Sequence, residues 1–381
     1  MEQASWTRVL QRPVHALGIE VGSANIKIVD VQGNKLVSYA AQPTPPGAVS
    51  GGNISDPYSV ASGIGEMIAN MGTRKRSAVV AVSNLAMVTR VVNIPRVAAK
   101  EIRPAVLNQI EDLIPFPLED VAYDFTPLDS PSRKSTADDG QRMDVLIAAA
   151  RRDAIWSLVT ALREANIRSV AVETKPIAAL RPMIKRLVEL GRNEGTASIF
   201  IDIGAESSTL VLLKGQRFLA SRNLGMSGRD FSKAVAESFG LDEEAAQQAK
   251  ERYAMARLPE GRGSGWDLDT EWQEFDPRRM YEAIRPVLLQ LVGDIRRSLE
   301  FFEDQYGQLN INYGFISGGG SRLAGLGALI GDELGIQVEL VNPFESLQID
   351  QNIFDRNELK KIGPAFAVSV GLAIRGANFR A

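Results

Sequence analysis

The chain has 381 residues, 45% of them apolar, enough for two or three domains with real cores. Lys and Arg number 43 against 46 Asp and Glu, and the net charge of −3 argues against a nucleic-acid binder that works through a basic field. With no cysteine and a single histidine, His15, the chain excludes disulfides, thiolate zinc sites, iron–sulfur clusters, a cysteine nucleophile and paired-histidine metal sites.

Residues 1–13 carry Glu2, Arg8 and Arg12 without an apolar run, so they are no secretory signal; they read as a frayed tail or a weak surface-binding helix around Trp6, Val9 and Leu10. From Leu17 the chain reads as an apolar strand carrying Glu20, a turn at Gly22, a second strand, a turn at Gly33 and a third strand. A helix follows over Asp56 to Met71, with Val60, Ile64, Met67, Ile68 and Met71 on one face. Next come strands over Ala78 to Ser83 and Val88 to Ile94, then a helix with Ile102, Val106, Ile110 and Leu113 on one face. The polar stretch Asp129 to Arg142 predicts a mobile hairpin loop, and a helix around Ile155, Trp156, Val159 and Leu162 follows.

At residues 199–219 the opening pattern returns. Glu20, Gly22, Gly33 and Lys35 match Asp202, Gly204, Gly215 and Arg217 at a constant offset of 182 residues (20 to 202, 22 to 204, 33 to 215, 35 to 217). Ser227 to Phe239 predicts the matching helix, with Phe231, Val235 and Phe239 every four residues. The stretch Pro259 to Trp266, rich in Gly and Arg, has no strand before it and reads as a loop. A long helix is expected over Arg278 to Gln305, with Ile284, Leu288, Leu291, Ile295, Leu299 and Phe302 inward and Pro286 kinking it or marking its first turn. The last motif is a strand from Ile311 to Ser317, then Gly318, Gly319, Gly320 and Ser321, then an apolar helix to Leu334. The longest apolar stretches, such as Gly363 to Ile374, fall short of the roughly 18–20 residues of a bilayer span.

The duplicated unit predicts two similar α/β domains facing one another. Its chemistry is that of an anion site: a tight glycine hairpin offers N–H groups and hydroxyls to a phosphate, and a nearby carboxylate can hold the accompanying cation. Three glycines between a strand and a helix let a flat ligand or a phosphate lie on bare backbone. No Gly is followed by Lys and no G-x-G-x-x-G occurs, so neither of the two commonest nucleotide loops is used.

These elements, in this order, resemble the superfamily of actin, the heat-shock chaperones and the sugar kinases. Within it, Asn53 to Pro57, Val88 to Pro95, the Ile-Pro-Phe-Pro segment within Ile114 to Phe125, Asp144 to Arg151, Ile295 to Phe302 and Pro364 to Val368 are similar to the type IV pilus assembly family PilM, a relative of the division protein FtsA. The resemblance implies an α/β, actin-like fold of duplicated ribonuclease-H-like domains with an inserted subdomain called 1C. It divides the chain into 1A over 1–77, 173–195 and 363–381, 1C over 78–172, 2A over 196–228 and 286–362, and 2B over 229–285. It implies ATP held by Gly22, Ser23, Ala24, Asn25 and Lys27, by Gly204, Ala205, Glu206, Ser207 and Ser208, and by Gly228, Arg229, Lys233, Gly318, Gly319, Gly320 and Ser321. Lys27 reads either as a point charge on a phosphate or as a solvent-facing strand lysine. Glu206 departs from the pattern, since a carboxylate there repels a phosphate unless Mg²⁺ intervenes.

Glu20 and Asp202 are the implied outer-sphere Mg²⁺ ligands. Where related ATPases place a water-orienting Glu or Gln, this chain offers Lys175 or Thr174, with Glu173 a step away, so tight binding with slow or negligible hydrolysis is expected. The implied partner is the cytoplasmic N-terminal tail of PilN, docking between 1A and 1C on Ile102, Val106, Ile110, Ile114 and Phe116. Other proteins of the pilus platform and its motor ATPases join it as expected partners, with no nucleic acid and no transmembrane segment, at a cytoplasmic location peripheral to the inner membrane. An FtsA-like filament protein and a small-molecule kinase are the alternatives.

Overall fold

The computed structural model describes residues 15–128, 142–191, 196–258 and 275–378. Of the loop expected over Asp129 to Arg142, residues 129–141 lie outside the described residues and Arg142 already opens a strand; the Gly- and Arg-rich stretch 259–266 and the N-terminal segment around Trp6 also lie outside them.

The first domain opens with an antiparallel meander of β1 (Leu17–Val21), β2 (Asn25–Gln32) and β3 (Lys35–Pro43). After the short hairpin β4 (Val49–Ser50) and β5 (Asn53–Ile54) comes α1 (Pro57–Met71). Asp56 caps that helix by accepting from the Tyr58 and Ser59 amides, and Pro57 fills the first turn, where its missing N–H is not needed. β6 (Ser77–Val82) then lies parallel to β1.

Here the chain leaves the sheet. β7 (Met87–Pro95), α2 (Ala99–Leu113), β8 (Val121–Pro127) and β9 (Arg142–Arg151) form a separate three-stranded sheet, ordered β7-β9-β8, with α2 on it. α3 (Arg152–Glu164) packs beside α1, and β10 (Arg168–Thr174) pairs in parallel with β6, completing the order β10-β6-β1-β2-β3. The insertion is therefore narrower than the 78–172 expected. The strand at 78 and the helix and strand after 151 belong to the first domain, because parallel pairing of β6 with β1 is a long-range contact that no local pattern announces.

α4 (Lys175–Leu180) and α5 (Ile184–Leu190) lead into the second domain. Its sheet, β13-β12-β11-β14-β15, repeats the order of the first. It is built from β11 (Thr196–Ile203), β12 (Ser208–Lys214), β13 (Arg217–Leu224), then α6 (Gly228–Phe239), α7 (Glu243–Tyr253), α8 (Pro277–Tyr306), β14 (Asn310–Ser317), α9 (Leu326–Leu334) and β15 (Gln337–Leu340). The matched turns agree closely, with φ of 60° at Gly33 and 58° at Gly215. Helix α8 buries Ile284, Leu288, Leu291, Ile295 and Phe302 as its spacing predicts; it runs through Pro286, and Pro277 holds the first turn.

The chain then returns through α10 (Arg356–Ile362) to α11 (Ala367–Ala377), which lies on the first sheet at backbone contact: a Cβ on Gly18 would sit 2.2 Å from the Ser369 carbonyl oxygen, and one on Gly371 only 1.8 Å from that of Ala178. A shared core that includes Ala178, Val79, Phe200, Phe315 and Val368 joins the two domains.

The insertion also touches the second domain. Arg90 on β7 donates to the Ser221 carbonyl at 2.9 Å, and the Ser221 hydroxyl donates to the Thr89 carbonyl at 3.2 Å. Just ahead of β7, the buried Asn84 donates to Thr209 Oγ1 at 2.8 Å and accepts from Asn223 Nδ2 at 3.2 Å. An Arg217–Asp144 ion pair closes the seam.

Candidate functional site

The two domains enclose a cavity of about 1130 Å³ lined by both glycine hairpins and the triglycine turn. The hairpins share one geometry. Gly22 N–H donates to the Asn25 carbonyl at 3.0 Å, and Gly204 N–H to the Ser207 carbonyl at 2.9 Å. A Cβ at either glycine would lie 2.9 or 2.8 Å from that acceptor oxygen, so the turn closes this tightly only without a side chain. Thr44, at the end of β3, clamps the first hairpin: its hydroxyl donates to the Gly22 carbonyl at 2.6 Å and its N–H to the Ala24 carbonyl at 3.0 Å.

The carboxylates of the repeat line the same cavity but have opposite surroundings. Glu20 faces Lys27 across the β1–β2 ladder, and its oxygens meet Lys27 Nζ at 3.1 Å and Lys175 Nζ at 3.3 Å. Burial alone would push its carboxyl up, but the two ammonium groups outweigh burial and hold it below the ordinary carboxylate value. At the matching place on the second hairpin, Asp202 faces Thr209 instead of a lysine, and accepts from the Ser317 hydroxyl at 2.7 Å. Burial pushes Asp202 up, the Ser317 hydrogen bond opposes this, and the charge of Glu20 adds to the rise. One carboxylate ion-paired with two lysines and one held by a hydroxyl, with the lysine charges too weak to offset its burial, thus face the same space. Mg²⁺ commonly binds through one or two carboxylates together with substrate phosphates, and this pair suits that arrangement; among the described residues no group of three or more His, Cys, Asp or Glu gathers to hold a metal by itself.

Gly318 sits at φ 87°, where a Cβ would meet the Ile203 carbonyl oxygen at 2.3 Å, and its N–H donates to the Pro364 carbonyl at 2.8 Å. Gly319 is open: nothing lies within 4 Å of the position its Cβ would take. On the far wall stand Gly228 and Arg229 of α6 and the polar face of α7. Lys250, on α7, was not singled out from sequence. It is largely buried with its Nζ on Ser232 Oγ at 2.9 Å, Gln247 Oε1 at 3.0 Å and the Gly228 carbonyl at 3.2 Å, and burial pushes its ammonium pKa down. A lysine in a helix rich in Glu and Gln carries no local signal of burial, which arises only when α7 meets α6.

Of the residues expected to hold a nucleotide, Gly22, Ser23, Ala24, Asn25, Lys27, Gly204, Ala205, Glu206, Ser207, Gly228, Arg229 and the three glycines line the cavity. Ser208 is buried behind it, with no protein partner for its hydroxyl. Ser321 is buried with its hydroxyl on the Gly318 carbonyl, and Lys233 projects outward to Glu237 at 3.9 Å. Glu173 takes no part: its oxygens meet Arg181 at 2.9 and 3.1 Å and Arg375 at 2.6 Å, whereas Lys175 lines the cavity and Thr174 caps α4. The expected peptide anchors need correcting. Ile102, Val106, Ile110 and Ile114 are buried in the core of the inserted sheet, with Phe116 packed against it, because the apolar face of α2 covers β7 and β9.

No helix among the described residues is long and apolar enough to cross a membrane. The family described as type IV pilus assembly protein PilM matches residues 18–261 and 270–377. A solved structure titled "PilM-PilN type IV pilus biogenesis complex" contains a chain 40% identical to this one, with a TM-score of 0.83, covering 96% of this chain and 99% of that one. The ethanolamine utilization protein EutJ from Carboxydothermus hydrogenoformans shares the fold at 15% identity and a TM-score of 0.54, covering 97% of this chain and 93% of its own. The duplicated sheets, the inserted subdomain and the match over nearly the whole chain place it in the type IV pilus assembly family PilM, with an actin-like fold.

Proposed function

We propose that the chain is an actin-like scaffold of the pilus assembly platform that binds ATP with Mg²⁺ between its domains and takes the N-terminal cytoplasmic tail of a PilN-type protein as its partner. The observation that carries the nucleotide reading is the convergence of two glycine hairpins of one geometry, a carboxylate pair and a triglycine turn on a single cavity. The flat base would lie on Gly319 and Gly320, the phosphates between the hairpins with Lys27 and Lys175 as point charges, and the cation beside Glu20 and Asp202. Bound Mg²⁺ neutralises phosphate charge. The PilN reading rests on the likeness to a chain of the titled complex, and it is favoured over a filament protein or a small-molecule kinase by the family match. Through that partner the chain would sit at the cytoplasmic face of the inner membrane, with other platform proteins and the motor ATPases as further contacts.

Turnover is slow on this reading. The segment that would orient a water presents Lys175 to the cavity, and Glu173 is bound by two arginines. At 100-fold over its Kd, ATP adds about 2.7 kcal/mol to stability by mass action. Thermal melts should therefore rise with Mg-ATP while phosphate release stays at background. Gly319→Arg, at a position with room for a side chain, should abolish the rise without lowering the melting temperature of the free protein. An unchanged ATP response in that variant, or brisk turnover in the parent, sinks the assignment.

A further inference from the structure

The second hairpin carries a charge that the first lacks. At the offset that equates Gly22 with Gly204, Ala24 corresponds to Glu206. The turn is otherwise the same, so this carboxylate is an addition to a shared frame. It lines the cavity, its side chain is only 13% exposed, and it is ion-paired with the Arg229 guanidinium, whose Nε also meets Glu243 at 3.1 Å. The three groups carry two negative charges and one positive.

The start of α6 gives little relief. The N–H groups of Gly228 and Arg229, which open α6, donate to the Gly204 and Ala205 carbonyls at 2.8 Å each, so these two helix amides are spent on the hairpin and are not offered to an anion. Beside the hairpin's own amides, the side chains of Glu206 and Arg229 therefore bear on which anions are accepted. The farther a polyphosphate reaches between the hairpins, the closer its last group comes to Glu206. A triphosphate brings one more charged group than a diphosphate.

We propose that Glu206, held by Arg229, is a specificity-determining residue that makes binding of a terminal phosphate at the second hairpin conditional on a divalent cation. The proposal rests on the nucleotide reading given above. Without the cation, Glu206 repels the incoming phosphate and competes with it for the guanidinium. With the cation, the carboxylate is neutralised and Arg229 turns to the phosphate.

Calorimetric titration of the full chain with ATP and with ADP, in Mg²⁺ and in EDTA, tests this. In the parent, removing Mg²⁺ should weaken ATP far more than ADP. Glu206→Gln, isosteric and still able to hold Arg229, should cut the metal dependence of ATP about tenfold, or 1.4 kcal/mol, and leave ADP nearly unmoved. Arg229→Met should weaken metal-free ATP about tenfold, and the double variant should recover it. Circular dichroism of each variant reports its fold, and the Arg229 arm stands alone should Glu206→Gln not fold. Unaltered metal dependence in a folded Glu206→Gln, or in a folded Arg229→Met where only that variant folds, overturns the proposal by itself. A parent that binds neither nucleotide overturns it together with the reading beneath it.

Discussion

Glu20 and Asp202 occupy the same place in a repeated hairpin, and burial raises both; Glu20 is nevertheless held down by Lys27, across the ladder, and by Lys175, whereas Asp202, opposite Thr209, stays up. The consequence can be read in pH. A carboxyl whose folded pKa is depressed contributes stability above its unfolded value, near 4.5 for Glu20, and loses it as pH falls through the folded value. Asp202, raised above 3.8, has the opposite sign and destabilises the fold once ionised. Lys27→Met removes one of the two ammonium groups on Glu20 and leaves a buried charge half compensated. Denaturant melts should show a loss of about 3 kcal/mol at pH 7, shrinking as pH falls below 4.5 and through the depressed folded value, where Glu20 takes up its proton. A loss independent of pH would mean that Lys27 acts through packing of its stem. Much of this was legible: the constant offset sets Glu20 against Asp202 and Lys27 against Thr209 by simple alignment. Lys250 and Thr44 were not legible, since each is defined by what a distant element brings to it.

At the scale of elements, the caps were readable where a side chain sits beside the amides it serves. Asp56 and Ser227 mark their helices, and α2 stops just before the Ile114–Pro115 pair that disfavours further helix. The limits of the insertion were not readable, because β6 and β7 look alike in sequence and differ only in which strand each pairs with. The structure offers a sharper test of modularity. Met87 and Ala150 are register partners at the base of the inserted sheet, so the entry and exit strands run side by side. A chain lacking residues 88–150, with a short glycine link across the gap, should fold and keep its Mg-ATP-dependent rise in melting temperature. Removing 78–172 takes β6, α3 and β10 from the first domain and should give insoluble protein. Equal solubility of the two deletions would show that the first sheet does not need those elements. The same element view explains why the apolar face of α2 misleads: helical periodicity says that a face is buried, and says nothing of whether a partner or the chain itself buries it.

In the whole molecule, the seam between the insertion and the second domain runs directly behind the cleft. Ser83 lines the cavity, its neighbour Asn84 is buried on Thr209, and Thr209 follows the second hairpin by two residues. Asn84 already leaves its side-chain oxygen without a protein partner, so it has no slack. Thr209→Val keeps the shape and removes the acceptor; it should cost about 1–3 kcal/mol and raise hydrogen exchange along β7 and β13 relative to the rest of the sheet. Uniform exchange would locate the loss in the second domain alone. The other tie that spans the chain is α11, which Gly18 of β1 and its own Gly371 let lie on β1 and α4 with backbone touching backbone. Its residues follow the whole of the second domain in sequence. At about 5–20 residues per second on the ribosome, β1 waits on the order of 20–70 s for the helix that covers it, while the strands from 196 to 340 already have α6, α8 and α9 on one face. The domain made first is thus finished last, and an emerging chain spends that interval with one face of its first sheet bare, in need of shelter until the final turns arrive.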